Sequence, residues 1–330
     1  MFDANKYDIF RSLLIPRYLD SERKLEVLMS IIKPLFKTPR TRLVKFDNFT
    51  DKVFFKLEGE NICGSFKDRV AEKLIIEARH RGFNKIFTYT SGNLGLSVSK
   101  LAKENNIFSH VVINNKDYTK IDLLSKQSSV LEYRSSEPSF RSRVLSFVCA
   151  LLGVWDFYWF RENFYFFEEK RREGFFVAFP SIYVNSDSLM AYSEISWEIF
   201  KQLKGKRPDY IITPVINSDN AIGQWLGYYA LYKYGLITSL PTFVLVSRKK
   251  RIDHFNYPDA WRLIRNMSQV LEFGVSASEE RKASLDLRRL YNINAENVSA
   301  GVWVAYEVLK KRGIFGRDSL VVLLISGSNV

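Results

Sequence analysis

Cysteine is scarce in this chain of 330 residues, with Cys63 and Cys149 the only two. Two thiols make neither a disulfide framework nor a metal-ligand cluster, so no metal site is expected, and a reducing compartment suits them both. The opening Met1-Phe2-Asp3-Ala4-Asn5-Lys6 lacks the basic start and apolar run of a secretory signal. A cytoplasmic location is the expectation that follows. Long apolar runs are lacking too. Val144 to Phe160 is apolar apart from Ser146 and Asp156 but spans 17 residues, short of the roughly 20 that cross a bilayer. It reads as core or subunit interface, and no membrane contact is expected.

Acidic residues are outnumbered, 36 against 49 lysines and arginines, for a net charge of +13. The basic runs Lys170-Arg171-Arg172 and Arg248-Lys249-Lys250-Arg251 sit in no recognisable nucleic-acid module and read as solvated faces. Nucleic acid is therefore not the expected partner, whereas a positive field would help capture a phosphorylated small molecule. At 46% hydrophobic and 26% charged the composition is that of an ordinary soluble protein, long enough for two cores.

Periodicity supplies the organisation. Residues 1 to 37 read as helical, with a break at Pro16. Val53 to Leu57 reads as a strand. Beyond it, strand and helix alternate: Lys85 to Thr90, Leu94 to Glu104, His110 to Ile113, Ile121 to Gln127 and Val130 to Tyr133. Such succession implies a parallel sheet with crossover helices. Ligands bind at the carboxyl ends of strands in such sheets, where Ser91-Gly92-Asn93 falls; Ser91 reads equally as a helix N-cap. A helix from Tyr192 to Leu203 and strands Tyr210 to Val215 and Leu320 to Ile325 complete the pattern. The aromatic residues crowded between Trp155 and Phe179 read as core or oligomer contact.

One lysine stands out. In Asn61-Ile62-Cys63-Gly64-Ser65-Phe66-Lys67-Asp68-Arg69, Gly64 and Ser65 are turn and N-cap residues, and the apolar spacing of Phe66, Val70, Leu74 and Ala78 predicts a helix. Lys67 falls in its first turn, where the helix dipole disfavours an ammonium, and a Schiff-base lysine must be neutral to react.

The Gly-Ser-Phe-Lys-Asp pattern at Lys67, followed about one βα unit later by Thr90-Ser91-Gly92-Asn93-Leu94-Gly95, resembles the fold-type-II pyridoxal-phosphate enzymes. Threonine synthase, cysteine synthase and threonine dehydratase are familiar members. Glu296-Asn297-Val298-Ser299-Ala300-Gly301 and the closing Ser326-Gly327-Ser328-Asn329 extend the likeness over roughly residues 41 to 330. The resemblance implies an α/β fold of two three-layer αβα domains of mostly parallel sheet. One is expected to span 51–184, the other 1–50 with 185–330. It implies pyridoxal 5'-phosphate as cofactor, Lys67 as Schiff-base residue and proton shuttle, and Ser326 facing the pyridine nitrogen. Thr90, Ser91, Gly92 and Asn93 are the implied substrate loop, with Asn93 also beside the cofactor. Implied partners are a small amino-acid substrate, phosphorylated or not, and a second copy of the chain in a homodimer. A hydroxyl at Ser326 favours elimination or replacement at the β or γ carbon over transamination.

The match fails where the family binds the cofactor phosphate with glycines. In Thr213-Pro214-Val215-Ile216-Asn217-Ser218-Asp219-Asn220-Ala221, Ile216, Ser218 and Asp219 stand at the glycine positions. Asn217, Ser218 and Asn220 are the candidate phosphate donors, and Asp219 must turn outward or meet a cation. Two readings remain open: an enzyme with a rebuilt phosphate cup, or a relative that has lost the cofactor and serves as a binding or structural protein.

Overall fold

A computed structural model describes residues 39–45, 52–114, 117–134, 166–179, 190–215, 218–248, 264–266 and 268–329. The helical reading of residues 1–37, the stretch Val144 to Phe160, Cys149, Ile216 and Asn217 lie outside them. In chain order the elements are β1 (Leu43–Lys45), β2 (Lys52–Leu57), α1 (Lys67–His80), β3 (Lys85–Thr90), α2 (Asn93–Glu104), β4 (Phe108–Ile113), α3 (Tyr118–Gln127) and β5 (Val130–Tyr133). They continue with β6 (Phe176–Val177), α4 (Met190–Gln202), β7 (Tyr210–Pro214), α5 (Asp219–Lys233), β8 (Thr242–Arg248), β9 (Val270–Val275), α6 (Ala277–Tyr291), α7 (Asn297–Lys311) and β10 (Leu320–Ile325).

Two sheets organise these elements. The smaller runs β5-β4-β3-β6, all parallel. The larger runs β1-β2-β10-β7-β8-β9, parallel except for the antiparallel β1–β2 pair. The strand β2 thus pairs along its whole length with β10, Lys52 opposite Leu320 through Leu57 opposite Ile325. This corrects the boundary at residue 51: β2 belongs to the second sheet, not to the unit that carries β3 to β5. Its partner lies near the far end of the chain, and no local pattern records that pairing.

The central strand β10 is buried along its entire length and shows how the layers form. Successive side chains leave a strand on opposite faces. Leu320, Val322 and Leu324 join the core shared with α1, α2, α4 and α5, whereas Val321, Leu323 and Ile325 join the core under α6 and α7. Each such side chain contributes about 1.5–3 kcal/mol on burial. Helices therefore cover both faces of the large sheet. On the small sheet, Phe87 and Val177 pack with Phe167 and Phe175 on the face away from α1. Of the described aromatic residues in that stretch, Phe167, Phe175 and Phe176 are core, and Phe166 and Phe179 pack against it. None of the described helices is long and apolar enough to cross a membrane.

Candidate active site

The lysine turn and the terminal serine segment meet through their backbones. Gly64 takes φ +80°, open to glycine without steric penalty. The Ser65 hydroxyl accepts the Lys67 amide at 3.3 Å, but the N-cap of α1 is Phe66, one residue later than the sequence reading. Ser65 bridges Gly327, the Phe66 amide donates to the Ser326 carbonyl at 2.9 Å, and the Ser328 amide donates to the Gly64 carbonyl at 2.8 Å. Both segments leave the carboxyl ends of neighbouring parallel strands, β2 and β10, where a ligand site is expected.

Lys67 lies at the start of α1. Its Nζ donates to Tyr192 Oη at 2.9 Å and sits 5.0 Å from the Phe66 ring centroid. Burial pushes its pKa down, and the Asp219 carboxylate partly restores it. Burial is therefore the first cause of the lowering. Burial, and then Asp219, holds the Tyr192 phenol well above its ordinary range. It is a neutral hydroxyl at physiological pH.

Asp219 opens α5 and is 4% exposed. A carboxylate in a first helical turn is favoured by the dipole, and the charge of Asp219 acts to raise the pKa of both Lys67 and Tyr192. The neighbouring Ser218 holds φ +64°, a conformation that glycine adopts readily and other residues rarely. Its Oγ is buried with no hydrogen-bond partner in the structure. A glycine-like backbone, a helix N-terminus and an orphaned hydroxyl are what a phosphate cradle needs, and these residues fit the phosphate of pyridoxal phosphate. Among the described residues of this loop, Asp219 is the one that opposes it. Asn220 Nδ2 donates to Pro214 O at 2.9 Å and Thr213 Oγ1 at 3.3 Å. Both amide protons are committed to the end of β7, which leaves only its backbone amide for a phosphate.

The other loop lies at the end of β3. The Thr90 hydroxyl accepts from the Gly92 amide at 3.0 Å and the Gly95 amide at 3.3 Å, so Thr90 shapes the turn, and the N-cap of α2 is Gly92. Ser91 is exposed at the loop tip. Asn93 is tied to the lysine helix through Ser97, whose Oγ lies 2.9 Å from the Asn93 carbonyl and within hydrogen-bond reach of Asp68, to either of which its single proton can be given. Its own amide faces Glu296, at 3.1 Å from each carboxylate oxygen. Ser326 Oγ is 2.6 Å from Ser299 Oγ, so the Ser of the Glu-x-x-Ser-Ala motif positions it.

A buried ion cluster fixes α1. Arg69 donates to both Glu58 oxygens at 2.7 and 2.8 Å, and to both Glu198 oxygens at 2.7 and 2.9 Å. Lys56 Nζ reaches Glu198 at 2.5 Å and the Thr41 carbonyl at 2.8 Å. Two bidentate pairs of this kind hold a helix at a set height on its sheet. A cavity of about 310 Å³ flanks the turn, lined in part by Cys63, Gly64, Leu96 and Lys100. Burial, then Asp68, pushes the Cys63 thiol up to about 12, so it is no nucleophile at neutral pH.

Sequence reasoning missed Tyr192, Lys120 and the role of Glu296. Tyr192 and Glu296 stood within motifs already singled out. Lys120 carried no signal beyond its helix.

Comparison with known proteins identifies the family. The family described as pyridoxal-phosphate dependent enzyme matches residues 34–327. The threonine synthase of Methanosarcina acetivorans is 24% identical over 324 residues, covering 87% of this chain and 74% of that protein. Cysteine synthase B of Escherichia coli is 41% identical over 71 residues, 20% of this chain and 23% of that one. Among solved structures, the O-acetylserine dependent cystathionine beta-synthase from Helicobacter pylori superposes with TM-score 0.66 at 17% identity, covering 89% of this chain and 94% of that one. Threonine deaminase isoform 2 from Solanum lycopersicum gives 0.67 at 15% identity, covering 94% and 91%. With the fold shared throughout and the family match spanning most of its length, the chain belongs to the pyridoxal-phosphate dependent enzymes, which implies pyridoxal 5'-phosphate as its cofactor.

Proposed function

We propose that this protein eliminates or replaces a group at the β or γ carbon of a small amino acid. The observation that carries the reading is Lys67 itself: an amine with its pKa lowered by burial, at the ends of β2 and β10, beside a neutral Tyr192 hydroxyl. The cofactor, when bound, supplies the electron sink at the substrate's α-carbon. Lys67 would hold it covalently, Ser218 and the amides opening α5 would meet its phosphate, and Ser326 would face its ring nitrogen. A lowered pKa leaves more of the Lys67 amine neutral and able to take the α-proton. Tyr192 orients that amine by accepting its hydrogen bond. The Ser91-Gly92-Asn93 loop would hold the substrate carboxylate. At Ser326 a hydroxyl, with no carboxylate to fix a ring proton, supports elimination and replacement over transamination. A phosphorylated leaving group and a homodimeric assembly belong to the same proposal; the net positive charge supports the former.

One observation favours a second reading, in which the chain has lost the cofactor and acts as a binding or structural protein. Asp219 is buried at the start of α5 beside Ser218 and its charge acts on Lys67, so a carboxylate of the chain itself can balance the lysine that the cofactor would otherwise engage. Titrating the purified protein with pyridoxal phosphate separates the two readings. Saturable growth of a visible absorbance band that Lys67→Ala abolishes supports the enzyme; no band with a folded wild-type protein supports the relic.

A further inference from the structure

Glu296 is the N-cap of α7, yet its side chain makes no capping bond. It reaches across to the other sheet instead. Asn93 Nδ2 lies 3.1 Å from each of its oxygens, and Lys120 Nζ donates to Oε1 at 2.9 Å. Asn93 opens α2 and Lys120 lies in α3, both beside the four-stranded sheet, whereas Glu296 precedes a helix of the six-stranded one. The two N–H bonds of a carboxamide diverge too widely to reach both ends of one carboxylate. Equal distances from one nitrogen therefore mean one N–H shared between two oxygens, and the second N–H of Asn93 is left without a partner among the described residues. Glu296 also settles which way the amide faces: a carboxylate only accepts, so Asn93 turns Nδ2 toward it and Oδ1 away. Two glycines admit the cluster. A Cβ on Gly92 would meet Lys120 Cδ at 2.5 Å, and one on Gly327, next to Ser326, would meet Glu296 Oε2 at 2.8 Å.

We infer that Glu296 and Lys120 are positioning residues for the cofactor: Glu296 turns the Asn93 carboxamide so that an N–H, and not its carbonyl, faces the ring oxygen of pyridoxal phosphate, and Lys120 holds Glu296 there and cancels its charge. The inference rests on the cofactor of the family and on Asn93 lying beside its ring. A flipped Asn93 would set one acceptor against another and forfeit a hydrogen bond. Nothing in the amide itself prevents the flip, because its two ends have nearly the same shape. Glu296 prevents it by charge. Lys120 is needed because the Glu296 side chain is only 21% exposed, so little water is at hand to screen it. Without Lys120 the carboxylate would be free to swing back onto the open amides of its own helix, as an acidic N-cap ordinarily does, and would release Asn93.

Pyridoxal phosphate and 3-deoxypyridoxal phosphate, the same molecule without its ring oxygen, test the assignment. Both carry the aldehyde and the phosphate, so what Lys67 and the start of α5 contribute is common to the two. Each is titrated into wild type, Glu296→Ala, Lys120→Met, Lys120→Arg and the Glu296→Ala/Lys120→Met double variant, with binding read by tryptophan fluorescence and by the rise in melting temperature. Glu296→Ala is expected to weaken pyridoxal phosphate about tenfold, the scale of one hydrogen bond, and to leave the deoxy analogue unchanged. Lys120→Met weakens pyridoxal phosphate in the same selective way, and Lys120→Arg keeps most of the affinity. In the double variant the loss of Lys120 adds nothing, because it acts through Glu296. Equal losses for both ligands would reduce the cluster to a bond between the sheets and overturn the inference. So would pyridoxal phosphate affinity unmoved in Glu296→Ala, or losses that add in the double variant. A wild type that binds neither ligand overturns the inference and the cofactor reading together. One that binds both, with variants that do not tell them apart, overturns the inference alone. If Glu296→Ala does not fold, Glu296→Gln takes its place with the same expected selectivity, since a carboxamide there can donate or accept and no longer dictates how Asn93 faces.

Discussion

Replacing Arg69 by methionine removes the cation that hydrogen-bonds both Glu58 and Glu198. Glu58 is fully buried and the Glu198 side chain 11% exposed. Arg69 gives the two of them four hydrogen bonds. Breaking a buried pair from one side costs about 3–5 kcal/mol, because the remaining charge has lost its compensation. Burial alone would push the Glu58 carboxyl up. Arg69, with help from Lys56 and Thr41, overcomes it and holds the group at about 2. A folded-state pKa below the unfolded value stabilises the protein above the unfolded pKa, and that stability is lost as pH falls through the folded one. The window therefore runs from 4.5 down to about 2, and the contribution is on the order of 3 kcal/mol. In Arg69→Met burial acts with less opposition, Glu58 titrates higher, and the gap between variant and wild type narrows as the solution is acidified. Urea unfolding at a series of pH values from about 3 to 7 measures both quantities. A variant within about 1 kcal/mol of wild type at neutral pH, or a pH profile parallel to it, would refute the assignment of Arg69 as the partner that holds Glu58 and α1.

Asp219→Asn should tighten pyridoxal phosphate binding by about tenfold or more, because it removes a negative charge next to Ser218 at the proposed phosphate cradle. It should also lower the pH midpoint of cofactor attachment, because Asp219 raises the Lys67 pKa and attachment needs the neutral amine that appears as pH rises through that pKa. Weaker binding in the variant would mean that Asp219 is needed to position Lys67. Cys63, with its thiol pushed up to about 12, should react with iodoacetamide at pH 8 far more slowly than a free thiol. Peptide mapping measures this at Cys63 separately from Cys149, and rapid labelling would contradict the buried, acid-flanked environment.

Much of the fold was legible because its signals are local. Strands Lys85–Thr90, Val130–Tyr133 and Leu320–Ile325 were read to the residue, since β-branched and apolar runs with turn residues at both ends specify strands without reference to partners. The starts of α2 and α3 were read late. Asn93 follows a glycine N-cap, and Asp117 caps α3 from a loop whose only sign was that acidic residue. Pairing was less legible. Nothing in Val53 to Leu57 indicates that the strand adds to β10 rather than β3, because parallel partners are chosen by topology. The same holds for the site. Lys67 and Ser326 could be named from their motifs, but the Lys120–Glu296 pair joins residues 176 apart, and the choice of Tyr192 as the partner of Lys67 depends on how α4 packs across the sheet.

Borohydride reduction after incubation with pyridoxal phosphate, followed by peptide mass mapping, tests most directly whether Lys67 is the cofactor-bearing residue. The account predicts a single dominant adduct on Lys67, formed more completely as pH rises and lost in a folded Lys67→Ala protein. Its first-turn position tolerates alanine. A wild-type protein that forms no adduct, or one that distributes it evenly over exposed lysines, would contradict the account.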